Sequence, residues 1–197
     1  MGRALRKLGI SSMASNALIY KASLQISDID RHYYHDHALT LARHPSETDE
    51  RVMVRLLAFA MHAHEDLSFG RGLGSEDEPA LWQKDLTGAI ERWIELGQPD
   101  HKAIRQACGR AKQVVIYSYG GRGAAAWWEN HRTTLDRFQN LVVRNISTDG
   151  SRSLAQLAQR AMELHCTIQG GAVMIGDGTT TVQLDLTTLK HAAQLGR

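Results

Sequence analysis

The stretch from Asp85 to Gly97, DLTGAIERWIELG, sets one carboxylate ahead of a strand-like run and a second, Glu95, inside it between Ile94 and Leu96. A charge held in an apolar strand costs several kcal/mol, roughly, unless it is paired or binds a cation. A hairpin or a neighbouring strand could bring Asp85 and Glu95 to one point. Two carboxylates converging there make a hard-oxygen site suited to Mg²⁺, or to Mn²⁺. The plainer reading is a solvated glutamate on an edge strand.

Two more acids stand earlier in the chain. Ser46 reads as the N-cap of a helix running to about residue 66, with Asp49 and Glu50 in its first turn and Met53, Leu56, Leu57 and Ala60 as its apolar stripe. Glu47 and Glu50 are three apart and would share one helical face. A capping box from Ser46 to Asp49 accounts for one first-turn acid but leaves Glu47 unexplained. Histidines crowd the first third of the chain at 32, 35, 37, 44, 62 and 64, and His35 and His37 would lie on one strand face. No third and fourth ligand follows at a telling spacing for zinc, so the position to watch is His44, beside Pro45. Gly120, Gly121 and Gly123 mark a turn into a helix; they lack the P-loop Lys-Ser/Thr, although Arg122 at that helix start can reach a phosphate. Trp127 and Trp128 read as core residues more readily than as base-stacking ones.

These residues need a scaffold. Alternation from Leu18 to Ile26, the turn at residues 27–30 and a second extended run over 31–42 predict an antiparallel hairpin. After the first helix come a short strand at 67–70, a loop over 72–78, a helical turn at 79–84 and the Glu95 strand over 90–97. Asp100 caps the next helix, whose buried face is Ala103, Ile104, Ala107, Cys108 and Ala111. A buried strand at 113–119, a helix at 124–138, a strand at 141–146, a helix at 151–163 and a closing hairpin of 164–175 and 179–186 complete the pattern. The fold class is α/β: a mixed central sheet flanked by helices, with an N-terminal hairpin and a C-terminal β-hairpin.

The 197 residues suit one domain, read here as 16–190, with residues 1–15 as a tail or an over-extended start in which Met13 is a candidate initiator. A hydrophobic share of 43% and three prolines fit a compact chain, and a net charge of +2 leaves nucleic-acid contact to a local patch. Cys108 and Cys166 are too few for a zinc pattern and read as reduced core thiols of a cytoplasmic protein. No apolar run approaches the ~18 residues of a membrane span.

The segments IYKAS (19–23), LTLARHPSETDER (39–51), RLLAFA (55–60), DEPALW (77–82), WIELGQPD (93–100) and AWW (126–128) resemble the bacterial YaeQ family over roughly residues 17 to 187. That resemblance implies a variant of the PD-(D/E)xK, restriction-endonuclease-like nuclease fold. In that superfamily an Asp precedes a strand carrying an acidic-x-Lys triplet, and a helix Glu often joins them around Mg²⁺. Carried over, Asp85 matches the first Asp, Glu95 the second acid, and Glu47 or Glu50 the helix Glu. Gly97 stands where the Lys belongs. Phosphodiester hydrolysis needs positive charge near the attacking water or the scissile phosphate. Lys102 and Arg105, on the first turns of the following helix, are the candidates to supply it, ahead of Lys112 at the helix's far end.

The leading expectation is a Mg²⁺-dependent nuclease-like protein acting on nucleic-acid phosphodiesters, with Asp85, Glu95 and Glu47 holding metal and Lys102 or Arg105 as the migrated cation. The alternative is a catalytically silent nuclease-fold domain that binds nucleic acid or a protein partner. A third is an interaction module whose closing hairpin pairs with another chain.

Overall fold

The structure is a computed structural model that describes residues 17–70 and 78–193. The readings placed on the leading tail and on residues 72–77 lie outside the described residues. Its elements in chain order are β1 (Leu18–Asp28), β2 (Tyr33–Arg43), α1 (Asp49–His62), β3 (Leu67–Phe69), β4 (Leu81–Lys84), β5 (Ile90–Leu96), α2 (His101–Arg110) and β6 (Ala111–Ser118). There follow α3 (Arg122–Leu135), β7 (Leu141–Ile146), α4 (Thr148–Ala155), β8 (Ala161–Gln169), β9 (Ala172–Gly176), β10 (Thr181–Leu184) and β11 (Leu186–Lys190).

The strands form two mixed sheets, ordered β10-β9-β8-β1-β2 and β11-β7-β6-β5-β4-β3. In the first, the expected hairpin of β1 and β2 is antiparallel from Leu18↔Arg43 to Asp28↔Tyr33, and β1 also pairs in parallel with β8. Tyr20, Ala22, Leu24 and Ile26 of β1 and Met162, Leu164, Cys166 and Ile168 of β8 are buried, while the residues between them face outward. That alternation is the mark of a sheet packed on one side only. The second sheet is packed on both. β5 and β6 run parallel, joined through α2, and Val114 to Ser118 of β6 are all buried.

One core joins the sheets: Leu24 and Ile26 meet Leu81, Ile94 and Val115, with α1 between. Nine consecutive residues of α1, Val52 to Ala60, are buried, so the helix is enclosed on every side. The opposite face of the second sheet is covered by α2 and α3, whose Ile104, Ala107, Trp127 and Leu135 pack on Trp93, Val114, Ile116 and Val143.

Several expectations are corrected. The cap of α1 is Thr48, whose Oγ1 accepts from the Arg51 amide at 3.2 Å, so Ser46 and Glu47 precede the helix and Glu47 shares no helical face with Glu50. The helix ends at His62 because the chain turns there; Arg31 takes the Ala60 and Ala63 carbonyls. Residues 81–84 form strand β4, since pairing with β5 overrides their local preference. The helix expected at 151–163 is the shorter α4, capped by Ser147. The closing hairpin is instead three strands of the first sheet, split at Gly170 and Gly171 with φ of 59° and 78°, and a fourth, β11, that crosses to pair with β7.

Candidate functional site

Glu95 stands one residue from the C-terminal end of β5 and, with Trp93, faces the α2 and α3 side, whereas Ile94 and Leu96 face α1. Its Oε1 accepts from the Trp93 indole Nε1 at 2.8 Å. Burial raises its carboxyl above the ordinary glutamate range, opposed by the Trp93 hydrogen bond and then by the charge of Arg51. Beyond it, Gly97 takes φ of 88°, a left-handed turn that glycine allows, and its N–H donates to the Tyr117 carbonyl at 2.9 Å.

Arg51, in the first turn of α1, reaches this edge. Its Nη1 donates to the Leu96 carbonyl at 3.0 Å and lies 3.9 Å from where a Cβ on Gly97 would sit. Its Nε is 3.6 Å from Glu47 Oε1. Glu47 is buried and accepts from Arg55 Nη1 at 3.3 and 3.2 Å, while its backbone carbonyl accepts from Arg43 Nε at 2.7 Å. Tyr119 closes the group. Burial raises its phenol above the usual range, the Arg51 charge lowers it, and Glu50 and Glu47 push it up again. Gln98 Nε2 donates to the Tyr119 carbonyl.

Of the residues singled out from sequence, Glu47 and Glu95 therefore lie beside Arg51, and the charge of Glu50 reaches Tyr119. Asp85 does not join them. It opens the β4–β5 turn, where its Oδ1 accepts from Thr87 N at 2.9 Å, Thr87 Oγ1 at 2.7 Å and Ala89 N at 2.9 Å. Those bonds, the Thr87 side chain first, hold its carboxyl below the usual range. The turn is at the far end of β5 from Glu95, about 17 Å away at ~3.3 Å per residue. An aspartate two residues before a Thr-Gly pair builds an Asx turn, and that local use accounts for it. Lys102 and Arg105 lie on the exposed face of α2, and among the described residues neither bonds to the Glu95 group. The cation beside Glu95 is Arg51. Lys112 pairs with Glu91 at 2.5 Å, near the start of β5. Arg122 is exposed at the first position of α3, and His44 Nδ1 contacts Ser46 Oγ at 2.6 Å in the turn before α1. Trp127 is buried and donates to the Pro99 carbonyl at 2.9 Å.

Three residues of this edge escaped the sequence reading: Arg51, Gln98 and Tyr119. β4 and β5 pair antiparallel, with Leu81 opposite Ile94. The turn at Asp85 to Gly88 carried this register in the sequence, but reading 79–84 as helical hid it. Among the described residues no three His, Cys, Asp or Glu side chains are arranged to hold a metal ion. No helix among them is long and apolar enough to cross a membrane.

The architecture is a mixed α/β fold of two mixed sheets and four helices, with an acid–guanidinium cluster where two parallel strands end. The YaeQ protein family matches residues 13–186, and the chain belongs to that family. It is 44% identical to the YaeQ protein of Salmonella typhi over 175 residues, 89% of this chain and 97% of the relative, and 41% identical to that of Escherichia coli K12 over the same shares. The crystal structure of YaeQ from Xanthomonas axonopodis pv. citri superposes with a TM-score of 0.85 at 46% identity, covering 88% of this chain and 98% of that one. That of YaeQ from Pseudomonas syringae gives 0.86 at 34%, covering 90% and 98%.

Proposed function

We propose that this chain is a nuclease-fold phosphodiesterase whose site is the C-terminal edge of β5, with Arg51 supplying the positive charge that Gly97 lacks. The observation that carries it is the Arg51 guanidinium, 3.9 Å from the missing side chain at Gly97 and close enough to Glu95 to lower its pKa. The succession α1-β3-β4-β5-α2-β6, with α1 and α2 on opposite faces of the sheet, is also the order of a restriction-endonuclease-like core. Arg51 is fixed by the Leu96 carbonyl and by Glu47, and a guanidinium stays charged throughout the working pH range. Preorganised in this way, it stabilises negative charge developing on a phosphoryl oxygen without rearranging.

The acids fit a divalent cation in one arrangement. Asp85 is excluded by its turn and Glu47 by its two arginines, which leaves Glu95, one residue from the end of β5, as the carboxylate that would hold Mg²⁺ or Mn²⁺. When bound, such an ion supplies Lewis acidity and an acidified water. Glu95 belongs in this role because it is half-buried with one indole N–H as its side-chain donor, so a cation offsets the desolvation that now raises its pKa.

The test is cleavage of pooled single- and double-stranded DNA and RNA with Mg²⁺ and with Mn²⁺. Glu95→Gln and Arg51→Met are each expected to lose about 10²–10³ in rate, as removal of one electrostatic donor does. Asp85→Asn keeps wild-type activity. Cleavage that survives both Glu95→Gln and Arg51→Met overturns the assignment. Wild-type protein that binds these nucleic acids without cutting them identifies the silent binding domain instead.

A further inference from the structure

The other end of α1 carries a second group of arginines, differently partnered. On the α1 face of the second sheet, Arg92 is paired with Gln113 and Tyr117 with Arg144 in the β5–β6–β7 register, and Gln113 and Tyr117 share that face. His62, in the last turn of α1, stands over them with Nε2 2.9 Å from the Tyr117 hydroxyl and the two rings edge-on at 5.8 Å. Arg31 enters from the turn after β1, donating to the carbonyls of Ala60 at 3.1 Å and Ala63 at 3.3 Å and to Asp28 at 2.5 Å.

The charges here do not balance. Asp28 is committed to Arg31. Among the described residues Arg92 bonds to neutral amide oxygens, of Gln113 at 3.0 Å and Gln83 at 3.2 Å. Arg144 bonds the neutral Tyr117 hydroxyl, while its buried Nε, like those of Arg51 and Arg55, has no hydrogen-bond partner. Among the described residues neither Arg92 nor Arg144 forms an ion pair. Burial first, then the charges of Arg92, Arg144 and Arg31, holds His62 well below its ordinary pKa, and burial pushes Tyr117 up to about 12. Both are therefore neutral at pH 7, so the cluster carries two guanidiniums without an ion-pair partner among the described residues; Glu91, itself paired with Lys112, acts on Arg92 only through its charge. A desolvated cation left unpaired is costly, and structures retain one where a ligand supplies the missing charge.

We propose that Arg92, Arg144 and Arg31, with His62 and Tyr117, form a phosphate-binding site, for inorganic phosphate or a phosphate monoester. Guanidinium forks match the oxygens of a tetrahedral oxyanion, and a dianion neutralises two unpaired guanidiniums. Arg92, Arg144 and His62 are half-buried, so the group is reachable from solvent. The site is distinct from the Glu95 edge: Arg51 and His62 lie eleven residues apart on α1, about 16 Å at ~1.5 Å per residue.

The experiment measures thermal unfolding and calorimetric binding of the full chain in sodium phosphate, in a nucleoside 5′-monophosphate and in the free nucleoside, each at an ionic strength matched with chloride. Phosphate and the monophosphate raise Tm above chloride and the nucleoside does not. Arg144→Gln and Arg92→Gln each weaken that binding about tenfold or more, whereas Arg132→Gln on the α3 surface leaves it unchanged. In chloride, Arg144→Gln is at least as stable as wild type, because it removes an uncompensated charge. The His62 ring, followed by NMR, titrates at higher pH with phosphate than without. Tighter binding of the monophosphate identifies an ester as the ligand, and equal binding identifies free phosphate. Stabilisation no greater than in chloride, equal stabilisation of Arg144→Gln, or an Arg144→Gln protein weakened in chloride overturns the proposal.

Discussion

The two ends of α1 use the same residue type to opposite effect. At the N-terminal end, Arg55 and Arg51 close on the buried Glu47, and Arg43 pairs with Asp49 at 2.8 Å, so each of the three guanidiniums has a carboxylate beside it. At the C-terminal end three guanidiniums stand against Asp28. A matched buried pair is rigid and self-sufficient; removing either partner strands the other, and nothing arriving from solvent is required. An unmatched cluster is incomplete until something binds. The helix dipole favours both placements, with Asp49 and Glu50 in the first turn and Arg31 on the last carbonyls, so the dipole does not explain the difference. Partner count does.

The comparison breaks most sharply at Glu47. Glu47→Gln leaves Arg55 buried without its charge partner and is expected to cost about 3–5 kcal/mol in chemical denaturation. Joint replacement of Glu47 and Arg55 by Gln and Met costs less than the single change, because no orphan charge remains. A Glu47→Gln loss below about 1 kcal/mol would mean that the balance at this end is not what stabilises it.

Next in size is Trp93→Phe, which removes the indole donor from Glu95 and is expected to cost about 1–3 kcal/mol while raising the Glu95 carboxyl further. The shift is read from carboxyl NMR titration. Glu95 itself gives a pH test. Its folded pKa is raised, so the folded state binds its proton more tightly than the unfolded chain does. Its contribution is most favourable below the ordinary glutamate range and diminishes as pH rises through the interval up to the raised value. Glu95→Gln should therefore flatten the stability profile above the ordinary glutamate pKa and leave the metal-free protein at least as stable at pH 7. A profile unchanged by the substitution would contradict the burial assigned to this carboxyl. The smallest effect belongs to Asp85→Ala. Its lowered pKa means a contribution present above the ordinary aspartate range and lost as pH falls through the folded value, so the variant differs from wild type near neutrality and converges with it in acid.

Much of this was legible before the fold was known. The α2 cap at Asp100 accepts from Ala103 N at 2.7 Å, as a cap residue ahead of an apolar stripe should. β7 and the first hairpin follow from alternation. The start of α1 was not legible, because Ser46 and Thr48 are both good caps two residues apart and only the pairing of Glu47 with Arg55 decides between them. β4 was missed because its strand character comes from β5 beside it. At the site, Glu95 announced itself as an acid among apolar residues. Arg51 could not, since forty-four positions separate it from Glu95 and only the packing of α1 on the sheet brings them together. Asp85 misled for the reverse reason: proximity in sequence suggested a shared role, and a tight turn had already taken all its acceptor capacity on one oxygen.

The parallel pairing of β1 with β8 sets a schedule for the nascent chain. Lys21 is registered with Ala161, so the strand made first sits in mid-sheet between β2 and a strand made 140 residues later. At roughly 5–20 residues per second, a ribosome takes about 7–28 s to cover that gap. The β1–β2 hairpin can close early, but the edge of β1 away from β2 cannot pair until β8 emerges. Long-range parallel pairing of this kind is slow to form and leaves an unpaired strand edge meanwhile. For the interval between the two strands, the β1 edge that the finished sheet encloses stays open and is a template for pairing with other chains.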